Sequence, residues 1–298
     1  MNKKKPIIIA FVVMLLWGLL FPLVKLGFSA YDVSSTGDIL FFAGVRFTVC
    51  GAVICLFSLI TNRASYKAVP TSVGYILLSG LFAIILHYAF TYLGLDLTGS
   101  SSKTAILKQI GALIYVCFSF VFFKSDKPTV AKILGALLGF AGVCAINFDG
   151  NRVEFGVGDW LIIAASFCTV ASNIVSKKAL AKVSPVTMTG VSQLFGGLVL
   201  LVVGRALGGS MTFALNTSYI MVSICIASIV SYCLWFTVVK YGALSNLFII
   251  KFAEPAFACV FGWLIHGEDI LKVQYLLAFL LISAGIFIAN KVKKTEKP

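Results

Sequence analysis

Charge is scarce in this sequence. Only 12% of its 298 residues are Asp, Glu, Lys or Arg, about half the ~25% typical of soluble domains. That supply cannot cover a water-exposed surface, so a soluble enzyme and a nucleic-acid-binding module are excluded. Acidic residues are rarest, 11 against 24 Lys and Arg, and only Glu254 lies deep in an apolar stretch. A cation pore lined by carboxylates, or a sodium site built from Asp, therefore lacks ligands. Two histidines, His87 and His266, are too few for an intramembrane zinc protease, and no H-E-x-x-H occurs. No G-x-x-x-x-G-K-[ST] loop is present for an ATP-driven pump, and no Ser, His and acid set falls at nucleophile spacing. Eight cysteines (Cys50, Cys55, Cys117, Cys144, Cys168, Cys225, Cys233 and Cys259) all sit in apolar stretches, none at C-x-x-C spacing. They read as small core residues. No cofactor or metal is expected.

What is abundant is apolar: 60% of the residues, with a mean hydropathy of +1.02. A membrane-spanning helix takes roughly 20 such residues. Ten stretches qualify, near 6–28, 37–60, 72–95, 100–123, 130–148, 158–177, 185–205, 217–240, 245–266 and 271–290. They leave almost nothing for a soluble domain. No run alternates for the roughly ten residues that a barrel strand needs. Small residues such as Gly135, Gly139 and Gly142 let helix backbones approach. The fold class is an all-α membrane protein. The amino end, basic then apolar, looks like a signal peptide; its apolar part is too long for one and no A-x-A site follows, so it reads as a retained first helix.

Orientation follows from counting positive charge. With the amino end inside, sixteen Lys and Arg fall on the inner side and three (Arg152, Arg205, Lys272) on the outer side. Positive charge resists translocation, so both termini are expected to be cytoplasmic, in the plasma membrane, which in a bacterium is the inner membrane. Most of the net charge of +13 is then a topology signal and an attraction to anionic lipid heads; nucleic acid is no partner.

The chain repeats itself. Laying 98–126 over 242–269 with a shift of 144 puts Ser101 over Ser245, Gly111 over Pro255 and Lys124 over Glu268. ILGALLGFAGV (133–143) lies over YLLAFLLISAGI (275–286), and Lys25 loosely over Lys177. The pattern is five helices then five, 1–148 and 149–298. An odd number per half inserts the second half upside down, a plan that recurs in secondary transporters.

The stretch Glu254-Pro255-Ala256-Phe257-Ala258-Cys259-Val260-Phe261-Gly262-Trp263-Leu264 with Gly267-Glu268 resembles the second-repeat signature of the EamA-type drug/metabolite transporters. Trp17-Gly18 with Lys25 is similar to the family's opening motif, and LGALLGFAGV (134–143) to its fifth-helix motif. The resemblance covers essentially the whole chain. It implies ten helices in two inverted repeats that carry a small organic solute, such as an amino acid or related metabolite, without ATP, with export as the family-level direction. Gly111, where the family often has proline, and Lys124-Ser125-Asp126, where it often has Gly-Glu, depart from the pattern.

The chemistry is expected in polar residues stranded at membrane depth, where each charge costs about 2.5–3.5 kcal/mol on insertion scales. Six charges qualify: Lys25, Arg46, Lys103, Lys108, Lys251 and Glu254. Lys25 and Lys103 lie near helix ends and can snorkel. Ser101, Lys108 and Tyr115 recur every seven residues, which places them on one face of a continuous helix suited to a carboxylate or phosphate. The plainer alternative is that Lys108 only neutralises Glu254. Lys251 and Glu254, three apart, can also pair with each other, and Glu254 is the candidate for proton coupling. Pro255 and Pro22 are the hinge candidates, since proline removes a helix donor. His87, Tyr88, Trp17, Asn173, Tyr232 and Trp235 complete the expected substrate-binding set. Ser172, Gln193, Thr91, Tyr92 and Phe21 are weaker, and packing explains any of these as readily. The reading is a secondary transporter of an anionic solute, monomer or homodimer, in contact with lipid and with a coupling proton as an extension. The competing reading is a membrane enzyme or flippase acting on lipid-phosphate head groups.

Overall fold

The computed structural model describes residues 5–98, 107–127, 129–147, 155–213, 215–267 and 273–290. Every regular element among them is helical. Helix α1 is Lys5–Ala30 and α2 is Thr36–Thr61. Helix α3, Val69–Gly80, continues through a π-helical turn at Leu81–Leu86 into α4, His87–Thr98. Then come α5 (Ile110–Phe122), α6 (Val130–Asn147), α7 (Val157–Ala179), α8 (Pro185–Ala206) and α9 (Ser218–Tyr241). The short α10 (Leu244–Ile250), α11 (Ala253–His266) and α12 (Val273–Asn290) complete the bundle.

Among the described residues, seven helical segments are long and apolar enough to cross a membrane by length and composition, and three shorter apolar helices accompany them. The 26 residues of α1 reach roughly 39 Å at 1.5 Å per residue, more than the ~30 Å of a hydrocarbon core. Leu56, Ile60, Val202 and Leu264 stay exposed, as they must where lipid, not water, covers the surface.

Between helices of a membrane there is no hydrophobic drive, so close packing of small residues does the holding. Helices α2 and α8 lie against each other over most of their length. A Cβ on Gly44 would fall 2.3 Å from the Leu201 nitrogen, one on Gly51 2.3 Å from that of Leu194, and one on Gly197 2.3 Å from that of Thr48. As one index rises the other falls, so the two helices are antiparallel. Helices α6 and α12 pair the same way, Gly135 facing Ala289 and Gly142 facing Ala278 and Ile282. Helix α1 packs on α9 and α11, while α7 packs on α3, α4 and α5, and α5 on α10.

Two expected helices are interrupted. The stretch 245–266 divides at Lys251–Phe252, and the described part of 100–123 turns at Lys108–Gln109 before α5 begins. At the first break Pro255 has no N–H to offer the Lys251 carbonyl, which accepts the Glu254 amide at 3.0 Å instead. The second break has Gly111, not proline. Its amide is taken by the Ser166 hydroxyl at 3.1 Å, and a Cβ there would meet the Ser166 carbonyl at 2.6 Å. Pro22, by contrast, leaves α1 helical from end to end.

Candidate functional site

The breaks put two lysines inside the bundle. The Lys251 ammonium is 3.3 Å from Glu254 Oε2 and lies over two indole rings, 4.6 Å from the centroid of Trp17 and 5.8 Å from that of Trp235. The Lys108 ammonium sits 5.4 Å over Phe21 and feels the charges of both Glu254 and Lys251. The sequence gap between these lysines is 143, one less than the shift of 144 that aligns the two parts of the sequence. A cation held against a ring face is stabilised by the ring quadrupole, more so when desolvated.

Arg46 on α2 is buried, with its Nε donating to Ser228 Oγ of α9 at 3.0 Å. Tyr88, Tyr92 and Tyr232 lie within its electrostatic reach, and Tyr232 also within that of Glu254. The hydroxyls of Tyr88 and Tyr232 are 3.4 Å apart, and these residues are separated by 144 positions, the repeat shift itself. Phe47 packs between them, 5.0 Å from Tyr88 and 5.9 Å from Tyr232. Trp17 completes the wall, 5.6 Å from Tyr232 and 5.0 Å from Trp235.

A polar chain steadies this wall from α7. Trp235 Nε1 donates to Asn173 Oδ1 at 2.7 Å, and Asn173 Nδ2 donates to the Thr169 carbonyl at 2.7 Å. Thr169 Oγ1 in turn bonds His87 Nδ1 at 3.1 Å, with the Ala165 carbonyl 3.2 Å from the same nitrogen. His87 is thus a bonded residue of the helix contact. Trp17 Nε1 and Thr91 Oγ1 are buried with no hydrogen-bond partner among the described residues, as are both ends of the Gln193 amide. His87, Tyr92, Lys108 and Tyr232 are half-buried and belong to the same cluster of rings and charges, the candidate chamber.

Not every expected residue joins it. The turn at Lys108–Gln109 breaks the register that would have aligned Lys108 with Tyr115. Tyr115 packs instead on Phe248 at 4.9 Å and Phe122 at 5.9 Å. Ser101 and Lys103 lie outside the described residues. Lys25 is exposed, as snorkelling requires. Ser172 bonds its own helix at the Thr169 carbonyl, 2.8 Å away. Among the described residues no group of three or more His, Cys, Asp or Glu could hold a metal. Thr169, Ser166 and Ser228 escaped the sequence reading because a hydroxyl in an apolar helix carries no signal of which neighbour it meets.

Comparison with known proteins defines the class. The profile of the EamA-like transporter family matches residues 4–148 and again 156–290. The chain therefore belongs to the EamA-like transporter family, and it is a multi-pass membrane transporter. A protein named as an uncharacterized transporter of Archaeoglobus fulgidus is 22% identical, covering 96% of this chain and 98% of its own. The uncharacterized transporter YvbV of Bacillus subtilis is 26% identical, covering 99% and 94%. A crystal structure shares the fold with a TM-score of 0.79 at 19% identity, over 97% of this chain and 98% of its own.

Proposed function

We propose that this chain is a secondary transporter that binds an anionic organic solute in the chamber and works by alternating access between two inverted five-span halves. The packing supports the halves. With α3–α4 and α10–α11 each taken as one span, exchanging every span of 1–148 with its counterpart in 149–298 leaves the main contacts unchanged. The α1 pairings with α9 and α11 become those of α7 with α3–α4 and α5, while α2·α8, α5·α10 and α6·α12 map onto themselves. The counterparts α2 and α8 run antiparallel, as inversion requires, and the family profile matches once per half.

The observation that carries the solute class is the charge imbalance. Lys108 and Lys251 face a single described carboxylate, Glu254, and Arg46 adds a third positive charge beside Tyr232. A buried indole N–H, that of Trp17, stands by Lys251 without an acceptor among the described residues. Desolvated positive charge is costly at this depth, and an entering carboxylate relieves it through charge-assisted hydrogen bonds. The rings of Trp17, Tyr88, Tyr232 and Trp235 supply an apolar wall for the organic body. A solute carboxylate that takes over Lys251 frees Glu254 to bind a proton, which couples the two fluxes. The excess of basic residues on one side supports both termini lying in the cytoplasm.

Proteoliposomes loaded with labelled carboxylates, amines and neutral solutes test this. Carboxylate exchange is expected, and Lys108→Ala lowers it at least tenfold at unchanged yield of folded protein. Preference for neutral or cationic solutes, or unaltered exchange in the variant, overturns the reading.

A further inference from the structure

Asp126 lies in the connection between α5 and α6, outside the membrane-spanning helices, yet its side chain is only 5% exposed. Its Oδ2 accepts the Ser245 amide at 3.0 Å. Its Oδ1 accepts both the Ser245 hydroxyl, in a short bond, and Lys132 Nζ at 2.9 Å. Its backbone carbonyl accepts the Ser119 hydroxyl at 2.5 Å. Ser245 is the second residue of α10, whose own N-cap residue, Ala243, has no side chain able to cap it. A carboxylate 119 positions away thus performs the task that Ser, Asp or Asn performs at an ordinary helix start. The other flank of the same junction is also pinned, since Lys177 Nζ donates to the Gly242 carbonyl where α9 ends. Burial by itself would raise the Asp126 carboxyl, but the Ser245 hydroxyl, Lys132 and the Ser245 amide outweigh it and hold the group below the ordinary carboxylate range.

Helix α10 runs from this clamp to the chamber. Lys251 stands six positions after Ser245, about 9 Å along the helix, so the placement of the first turn is transmitted to the last. We propose that Asp126 is a positioning residue for the solute site: by capping α10 from across the bundle it sets where Lys251 and Glu254 stand against Trp17. This rests on the chamber being the solute site.

The test compares wild type, Asp126→Ala, Ser245→Ala and the double variant in proteoliposomes, with a uniformly 14C-labelled amino-acid mixture as probe. Asp126→Ala, which removes the cap, is expected to raise the half-saturating concentration about tenfold while the maximal rate per folded molecule stays within twofold. Ser245→Ala, which loses only the hydroxyl bond and keeps the amide one, should raise it about threefold. The double variant should stay near tenfold, because without Asp126 the Ser245 hydroxyl has no contact left to lose. A merely structural defect lowers the maximal rate and leaves half-saturation alone. That result, or a double variant near thirtyfold, overturns the proposal. Hydrogen exchange in detergent reads the cap without any solute: amides of Leu244–Ile250 should exchange faster in Asp126→Ala, and unchanged protection refutes it. Absence of saturable uptake by the wild type refutes the carrier reading and this role together, while exchange still judges the cap by itself.

Discussion

Two carboxylates in this bundle, Asp126 and Glu254, are both shielded from solvent and are held in opposite ways. Asp126 accepts two hydrogen bonds from Ser245 and one from Lys132. Among the described residues Glu254 has a single hydrogen-bond partner in Lys251, at the long distance of 3.3 Å. A saturated carboxylate is a fixed strut, since breaking it strands several groups at once. A carboxylate with one loose partner is free to trade that partner. The difference separates the part of the molecule that must stay put from the part that must respond to a passenger.

The largest effect that sharpens this contrast is on stability. Asp126→Ala leaves Lys132 and the start of α10 uncompensated and should cost about 3 kcal/mol, the low end for removing one member of a buried pair. Glu254→Gln should cost about 1 kcal/mol or less, because only one long contact is lost. Thermal unfolding of the purified variants measures both, and equal losses would erase the distinction. Acid comes next. The folded-state carboxyl of Asp126 is depressed, so its contribution is complete above the unfolded value near ~3.9 and disappears as pH falls through the lower folded value. The groups facing it are Lys132 on α6, Lys177 on α7, Tyr115 and Ser119 on α5, and Ser245 on α10. The wild type should therefore lose more stability than Asp126→Asn when acidified below about pH 4, and parallel pH curves would contradict the strut. The smallest effect is in the chamber wall. Trp235→Phe loses the bond to Asn173, worth about 1 kcal/mol, and keeps most of the ring surface, so it should weaken solute affinity while leaving amide exchange of α10 unchanged.

Much of the fold was legible because a bilayer imposes simple rules. Apolar runs of the right length marked the helices to within a few residues: 37–60 against Thr36–Thr61, and 185–205 against Pro185–Ala206. The break at Lys251 had a local sign in Pro255, but the break at Lys108 had none, because local pattern cannot separate a straight helix from one that yields to a neighbour. At the Lys108 break the Gly111 amide is bonded by Ser166, 55 positions further on. For the same reason the row of Ser101, Lys108 and Tyr115 could not be drawn correctly: it assumed one helical register where there are two. Tyr88 and Tyr232 could have been paired from sequence, since the repeat shift links them, whereas nothing local marks Asp126 as the cap of another helix.

Composition and periodicity alone determined that this chain lives in a membrane as a bundle of helices, since hydrocarbon accepts no unsatisfied backbone and few charges. They also singled out the stranded ions, because each is too costly to be accidental. Which ions face one another, and which are saturated or left wanting, was decided only when distant helices closed together. Hydrogen bonds and ring contacts act over a few ångströms, and only folding brings positions more than a hundred residues apart within that reach.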